Sequence, residues 1–99
     1  MQSNIHYSFQ SKLWQHNADG GWHFCSLPED VSADIRTHLQ HFEEGWGRLK
    51  AKAEISGHAW ETAIWFDTKR KTYLLPVKAD VRRKLKLKID DLLDIKIHV

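Results

Sequence analysis

The sequence predicts a small, mainly β protein of the α+β class: a closed barrel of about six strands, capped by one main helix and one short helix. Three observations carry that expectation. Residues 49–66 alternate apolar and polar side chains across a Ser-Gly turn. Shorter alternating runs lie on either side of them, joined by tight turns. One stretch alone, residues 29–42, switches clearly to helical spacing. Short strands linked by tight turns favour closure, because a closed barrel leaves no exposed edge.

Taken in order, Ile5, Tyr7, Phe9 and Leu13 fall on one phase of a first strand. Residues 17–21, containing Asp-Gly-Gly, supply a turn, and residues 22–27 form a second strand that pairs with the first as a hairpin. Ser26-Leu27-Pro28-Glu29 reads as a helix entry: the Ser-x-x-Glu spacing fits a capping box, and Pro is tolerated in a first turn. Val31, Ile35, Leu39 and Phe42 then recur at three and four residues as a core-facing stripe, and Gly45 and Gly47 end the helix.

In the central hairpin, Leu49, Ala51, Ala53 and Ile55 alternate with Lys50, Lys52, Glu54 and Ser56. After Ser56-Gly57 the alternation resumes in Trp60, Thr62, Ile64 and Phe66, with Trp65 on the opposite face. Residues 67–72 form a polar, basic turn into a short strand, residues 73–77. Pro76 lacks an N–H donor, which places that strand at an edge or near its end. Residues 79–85 form a short helix with Val81 and Leu85 on one face. Leu93, Ile95, Ile97 and Val99 alternate with polar residues in a last strand.

Ninety-nine residues make one domain, 1–99, able to bury roughly two-thirds of its unfolded surface. With 41% hydrophobic residues and five Trp, four Phe and two Tyr, a packed globule is expected rather than disorder. No apolar run approaches the roughly 20 residues of a membrane span. Residues 1–7 carry neither a basic nor an apolar leader region. Cys25 is the single cysteine, so no internal disulfide framework exists, and a reducing cytoplasm is the expected compartment.

The net charge of +2 conceals a segregation: residues 1–67 carry −4, residues 68–88 carry +8, and residues 89–99 carry −2. The basic segment is open to three readings: a solvated face, a nucleic-acid or other anion footprint, or a surface for a protein partner. Lys78, Arg82 and Lys86 share a helical face, a like-charge stack that a bound anion would relieve.

No nucleophile elbow, phosphate-cradling Gly-rich loop or Cys-x-x-Cys is present, and no cofactor is implied. His38 and His41 are spaced to share a face, but no third ligand accompanies them, so surface histidines are expected and no metal. Cys25, inside an apolar strand, reads as a small buried hydrophobe. An enzyme needs converging titratable groups; His58 with Glu61 comes nearest and makes a poor pair. Trp60 and Trp65 point to opposite faces of one strand, so some tryptophan surface lies outside the barrel. It packs under a helix or forms an exposed patch, and Trp14, Trp22 and Trp46 carry the same ambiguity.

The order of several motifs carries a resemblance. Residues 55–64 (Ile-Ser-Gly-His-Ala-Trp-Glu-Thr-Ala-Ile), Leu27-Pro28 at the helix entry, and Tyr73-Leu74-Leu75-Pro76-Val77 running into Val81-Arg82 together resemble a small bacterial family, domain of unknown function number nineteen hundred and five. That resemblance implies a double-split β-barrel, six strands with helices closing the ends, and implies no reaction. Where the family usually has Gly-Asp before its last strand this chain has Asp90-Asp91, and Asp tolerates the left-handed turn better than most residues. The segment Val81-Arg82-Arg83-Lys84-Leu85-Lys86-Leu87, followed by Asp91, Leu93, Ile95 and Ile97, also resembles AbrB-type swapped-hairpin DNA-binding domains.

Two function classes follow ahead of the enzyme. The first is a non-enzymatic barrel, monomer or homodimer, binding a small ligand or a protein partner through His58, Trp60, Thr62 and Arg82. The alternative is an AbrB-like nucleic-acid binder using Lys69, Arg70, Lys71, Arg82, Arg83, Lys84 and Lys86.

Overall fold

In the computed structural model, which describes residues 5–17 and 21–99, six antiparallel strands of the described residues close into a barrel. They are β1 (His6–Gln15), β2 (His23–Ser26), β3 (Arg48–Ile55), β4 (His58–Asp67), β5 (Thr72–Pro76) and β6 (Leu92–His98), in the spatial order β1-β2-β5-β4-β3-β6. Helix α1 (Glu29–Leu39) connects β2 to β3, and α2 (Ala79–Leu85) connects β5 to β6. The expected turn at residues 17–21 lies largely outside the described residues, although Leu13 pairs with Cys25 as a β1–β2 hairpin requires.

Alternation decides the inside of the barrel. Leu49, Ala51, Ala53 and Ile55 of β3 are buried, as are Leu93, Ile95 and Ile97 of β6 and Leu13 and Cys25 of β1 and β2. The β3–β4 turn has positive φ at both Ser56 (52°) and Gly57 (78°). That is the primed two-residue turn whose twist matches a hairpin, and it sets the register Ile55↔His58, Ala53↔Trp60, Ala51↔Thr62 and Leu49↔Ile64. Asp90 adopts the left-handed conformation (φ 74°), as expected of an Asp replacing Gly, and the Asp91 carboxylate accepts the Lys88 N–H at 2.8 Å.

Helix α1 closes the end of the barrel that holds the β4–β5 turn. Ser32 is fully buried, and its Oγ accepts the Tyr73 N–H at 2.9 Å, while the Tyr73 carbonyl accepts the Leu27 N–H at 2.9 Å just past the end of β2. The Tyr73 hydroxyl donates to the Glu43 carboxylate, Arg36 reaches Glu43 at 3.8 Å, and the Arg36 guanidinium lies 3.9 Å from the Phe66 ring centroid.

Two sequence expectations about α1 are corrected. Ser26 is not a capping-box residue: it ends β2 opposite Leu74, its Oγ accepts from Trp14 Nε1 at 2.9 Å, and the helix cap is Pro28, which has no side-chain cap bond. The helix also ends at Leu39, before the glycines. A 3₁₀ turn, Gln40–Phe42, then changes the angular spacing and leaves Phe42 53% exposed instead of on the stripe with Ile35 and Leu39.

The barrel is closed but not sealed. Arg48 exchanges both backbone bonds with Glu44, on the side away from β4, and this fixes the hydrogen-bond parity of β3 and β4. In that parity Trp65 and Asp67 turn their N–H and C=O groups toward β5, and so do Ala59, Glu61 and Ala63. Pairing with β5, however, is confined to Trp65↔Leu74, Phe66↔Tyr73 and Asp67↔Thr72. Extending that register would set Pro76 opposite Ala63. The groups of β5 that face β2 belong to Tyr73 and Val77, so Pro76 turns toward β4 the position where its donor is missing. The strands part here, and the expectation that closure removes every edge fails over this stretch. Among the described residues, the β4–β5 ladder does not reach Ala59, Glu61 or Ala63.

Candidate binding cleft at the barrel split

The parting of β4 from β5 opens a cleft of about 750 Å³. Its floor comes from the inward phase of β4, where His58, Trp60 and Thr62 lie opposite Ile55, Ala53 and Ala51. Two alanines facing Trp60 and Thr62 give the larger side chains room, and Trp60 packs against the core while staying half-exposed. The His58 and Trp60 rings stack at 5.7 Å with 19° between their planes. Trp22, Pro76, Lys78 and Val81 form the facing wall, and Arg48, Lys50, Glu61 and Trp65 continue the cleft onto the outer surface of the barrel.

Of the ligand-binding residues expected from sequence, His58, Trp60 and Thr62 therefore line one cavity, and Arg82 does not. Its guanidinium Nη1 donates to the Val77 carbonyl at 2.6 Å, tying α2 to the end of β5. The same charge lies beside His23. Burial first, and Arg82 second, lower the His23 pKa, and His23 Nδ1 is buried with no hydrogen-bond partner. The sequence singles out Trp22 and Trp65 only as tryptophans with surface outside the barrel, and Lys78 only as part of a basic helical face, not as contacts of this site. Pro76 was the available signal, since a missing donor marks where the ladder stops and so where side chains beside it lose their cover.

The tryptophans outside the barrel are flanked by arginines. The Arg70 guanidinium is 4.6 Å from the Trp14 ring centroid, and that of Arg48 is 5.8 Å from Trp65. Trp14, Phe24 and Trp22 run on as a packed aromatic series, with ring centroids 5.3 and 6.1 Å apart. Trp22 remains 62% exposed and Trp46 92% exposed.

The basic segment divides in two. Lys69, Arg70 and Lys71 occupy the β4–β5 turn, whereas Arg82, Arg83, Lys84 and Lys86 lie on or just after α2. Strand β5 separates the groups by its five residues, about 16 Å of extended chain. Arg70 is also bound to the Asp67 carboxylate at 2.6 Å. Burial opposes ionisation of Asp67, but the Arg70 side chain and the N–H groups of Arg70 and Lys69 outweigh it and hold the carboxyl below its usual value. Arg83, Lys84 and Lys86 are exposed.

Cys25 is buried in the core and its thiol is pushed up to about 12 by that burial, so no thiolate forms near neutral pH. His58 and Glu61, three apart on a strand, leave β4 on opposite faces. Among the described residues no three His, Cys, Asp or Glu side chains are placed to share a metal ion, and no helix is long and apolar enough to cross a membrane.

The model of a family described as Domain of unknown function (DUF1905) matches residues 9–97. Nothing among the curated proteins matches the chain.

Proposed function

The chain belongs to the DUF1905 family, and from that premise we propose that it is a non-enzymatic binding module whose ligand occupies the cleft at the barrel split. The observation that carries this reading is the convergence of Trp22, Trp60 and Trp65, with His58, on one cavity of about 750 Å³. Cavities of roughly 300–1,000 Å³ with aromatic walls and a few polar groups are the usual form of small-ligand sites. Aromatic side chains supply large contact area at low cost in conformational entropy, and half-exposed rings gain more from being covered than buried ones do. The basic residues support nucleic-acid binding less well, because their two groups sit at opposite ends of β5 and Arg70 and Arg82 are held by bonds within the protein.

The test is a titration of ¹⁵N-labelled protein with indole, capped short peptides, and mixed-sequence DNA and RNA, followed by NMR. Shifts centred on the indole N–H groups of Trp22, Trp60 and Trp65 are the expected result. Shifts confined to residues 69–71 and 82–88 on adding nucleic acid, collapsing between about 50 and 200 mM salt, would move the function to the basic segment. Shifts that leave all three indoles untouched overturn the cleft.

A further inference from the structure

Resting on the reading that this cleft is the binding site, we infer that its occupant is an extended, acidic polypeptide segment of a partner protein, which adds as a strand to the free edge of β4. Main-chain groups of Ala59, Glu61 and Ala63 turn toward the β5 side beyond the end of the β4–β5 ladder, where Ala59 and Glu61 are exposed, Ala63 is buried, and Glu61 and Ala63 line the cleft. A row of alternating donors and acceptors repeating every second residue is matched group for group by another extended backbone, the basis of recognition by strand addition. An unpaired edge of this kind is normally blunted by charge, by proline or by a covering element. Here the proline stands on the opposite strand, where it keeps β5 from closing the gap and leaves the β4 groups available.

Charge decides the character of the segment. Arg48 is taken by Glu44 and Asp80 turns its carboxylate to the Val81 N–H at 3.0 Å, while Glu61 lies opposite Lys52 in the ladder with no ion pair between them. Lys50 and Lys78, one on each side of the cleft, are exposed and form no ion pair among the described residues. The added strand would then carry apolar side chains inward, over Trp60 and Val81, and carboxylates outward, between the two lysines. Alternation of this kind is what a strand with one covered face displays.

The probe is a capped heptapeptide, Thr-Val-Glu-Val-Glu-Val-Thr, with two backbone-methylated isomers, one N-methylated at the glutamates and the other at the valines. Strand addition engages every second peptide amide, so one isomer is expected to lose at least about tenfold in affinity while the other stays within about twofold. Amide exchange at Ala59, Glu61 and Ala63 should slow on binding while Trp60 and Thr62, already paired with β3, change little. A Lys50→Glu, Lys78→Glu double variant should lose about fivefold and prefer a lysine-for-glutamate peptide. Equal loss or equal tolerance in the two isomers overturns the inference. So does protection of the same three amides in a dimer formed without peptide. Indole shifting Trp60 while the peptide shifts nothing overturns strand addition and leaves the cleft reading standing; neither ligand shifting the cleft overturns both.

Discussion

Ser32→Ala tests how α1 is fastened to the barrel. The Ser32 side chain is completely buried, and its Oγ accepts the backbone N–H of Tyr73 at 2.9 Å. Tyr73 is itself fully buried, so alanine leaves a donor with neither water nor a protein acceptor. A buried group left unpaired in this way costs about 1–3 kcal/mol. For a protein of this size, whose total stability is on the order of 5–15 kcal/mol, that is a large share. At about 4–8 °C per kcal/mol, a 2 kcal/mol loss lowers Tm by about 8–16 °C. Urea denaturation reads the change directly: the midpoint should fall with the slope unchanged, since the same surface is exposed on unfolding. The Tyr73 amide should also exchange faster in the variant. Ser8→Ala, at an exposed position of β1, should shift the midpoint by less than about 0.5 kcal/mol. If Ser32→Ala stays within about 0.5 kcal/mol of the parent, the helix is held by apolar contacts such as Ile35 alone and the reasoning is wrong.

Further outcomes are expected elsewhere in the barrel. Pro76→Ala restores a donor opposite Ala63; the new bond, worth about 0.5–1.5 kcal/mol, is offset by the chain freedom that proline had removed from the unfolded state, so stability should move by less than about 1 kcal/mol. The new residue-76 amide should nonetheless be protected and peptide affinity should fall, and free exchange at that amide would refute the account of the split. The Cys25 thiol should resist alkylation at pH 8 until denaturant is added, a contrast that a timed thiol-reagent assay measures. Because folding raises its pKa, its contribution to stability is complete below the unfolded value near pH 8.5–9 and is lost as pH rises toward about 12. His23 has the opposite dependence. Its pKa is lowered by burial and by Arg82, so its contribution is complete above the unfolded value near pH 6.5 and is lost as pH falls through the folded one. His23→Gln should flatten the loss of stability below about pH 6.5, as denaturation at stepped pH would show.

Much of the strand framework was legible because alternation is a local signal. Leu49 through Ile55 announce a half-buried strand by themselves, and Ser56-Gly57 specifies a turn that fixes the register with β4. The short helix and the basic turn after Asp67 were legible for the same reason, since each depends on a few neighbouring residues, whereas the left-handed turn at Asp90 followed from the family resemblance. Errors fell where two distant segments compete for one group. Ser26 has the spacing of a helix cap, but strand pairing with Leu74 claims it and Trp14 takes its hydroxyl. Phe42 continues the stripe on paper, yet the helix tightens after Leu39 and the ring swings outward.

The candidate site divides along the same line. The sequence alone placed Trp60 and Thr62 on one strand face, named His58 with them as a candidate contact, and marked Pro76 as a residue unable to donate. Only the tertiary structure decided that the missing donor faces β4 and not β2, a choice of parity set by how β5 meets both neighbours. It also decided that Trp22, Lys78 and Val81 stand across the resulting gap, and that Arg82, by bonding the Val77 carbonyl, is withdrawn from it. Periodicity reports which way a side chain points from its own strand. Which strand lies opposite, and where pairing stops, depends on contacts between residues far apart in the chain, and those exist only once the barrel has closed.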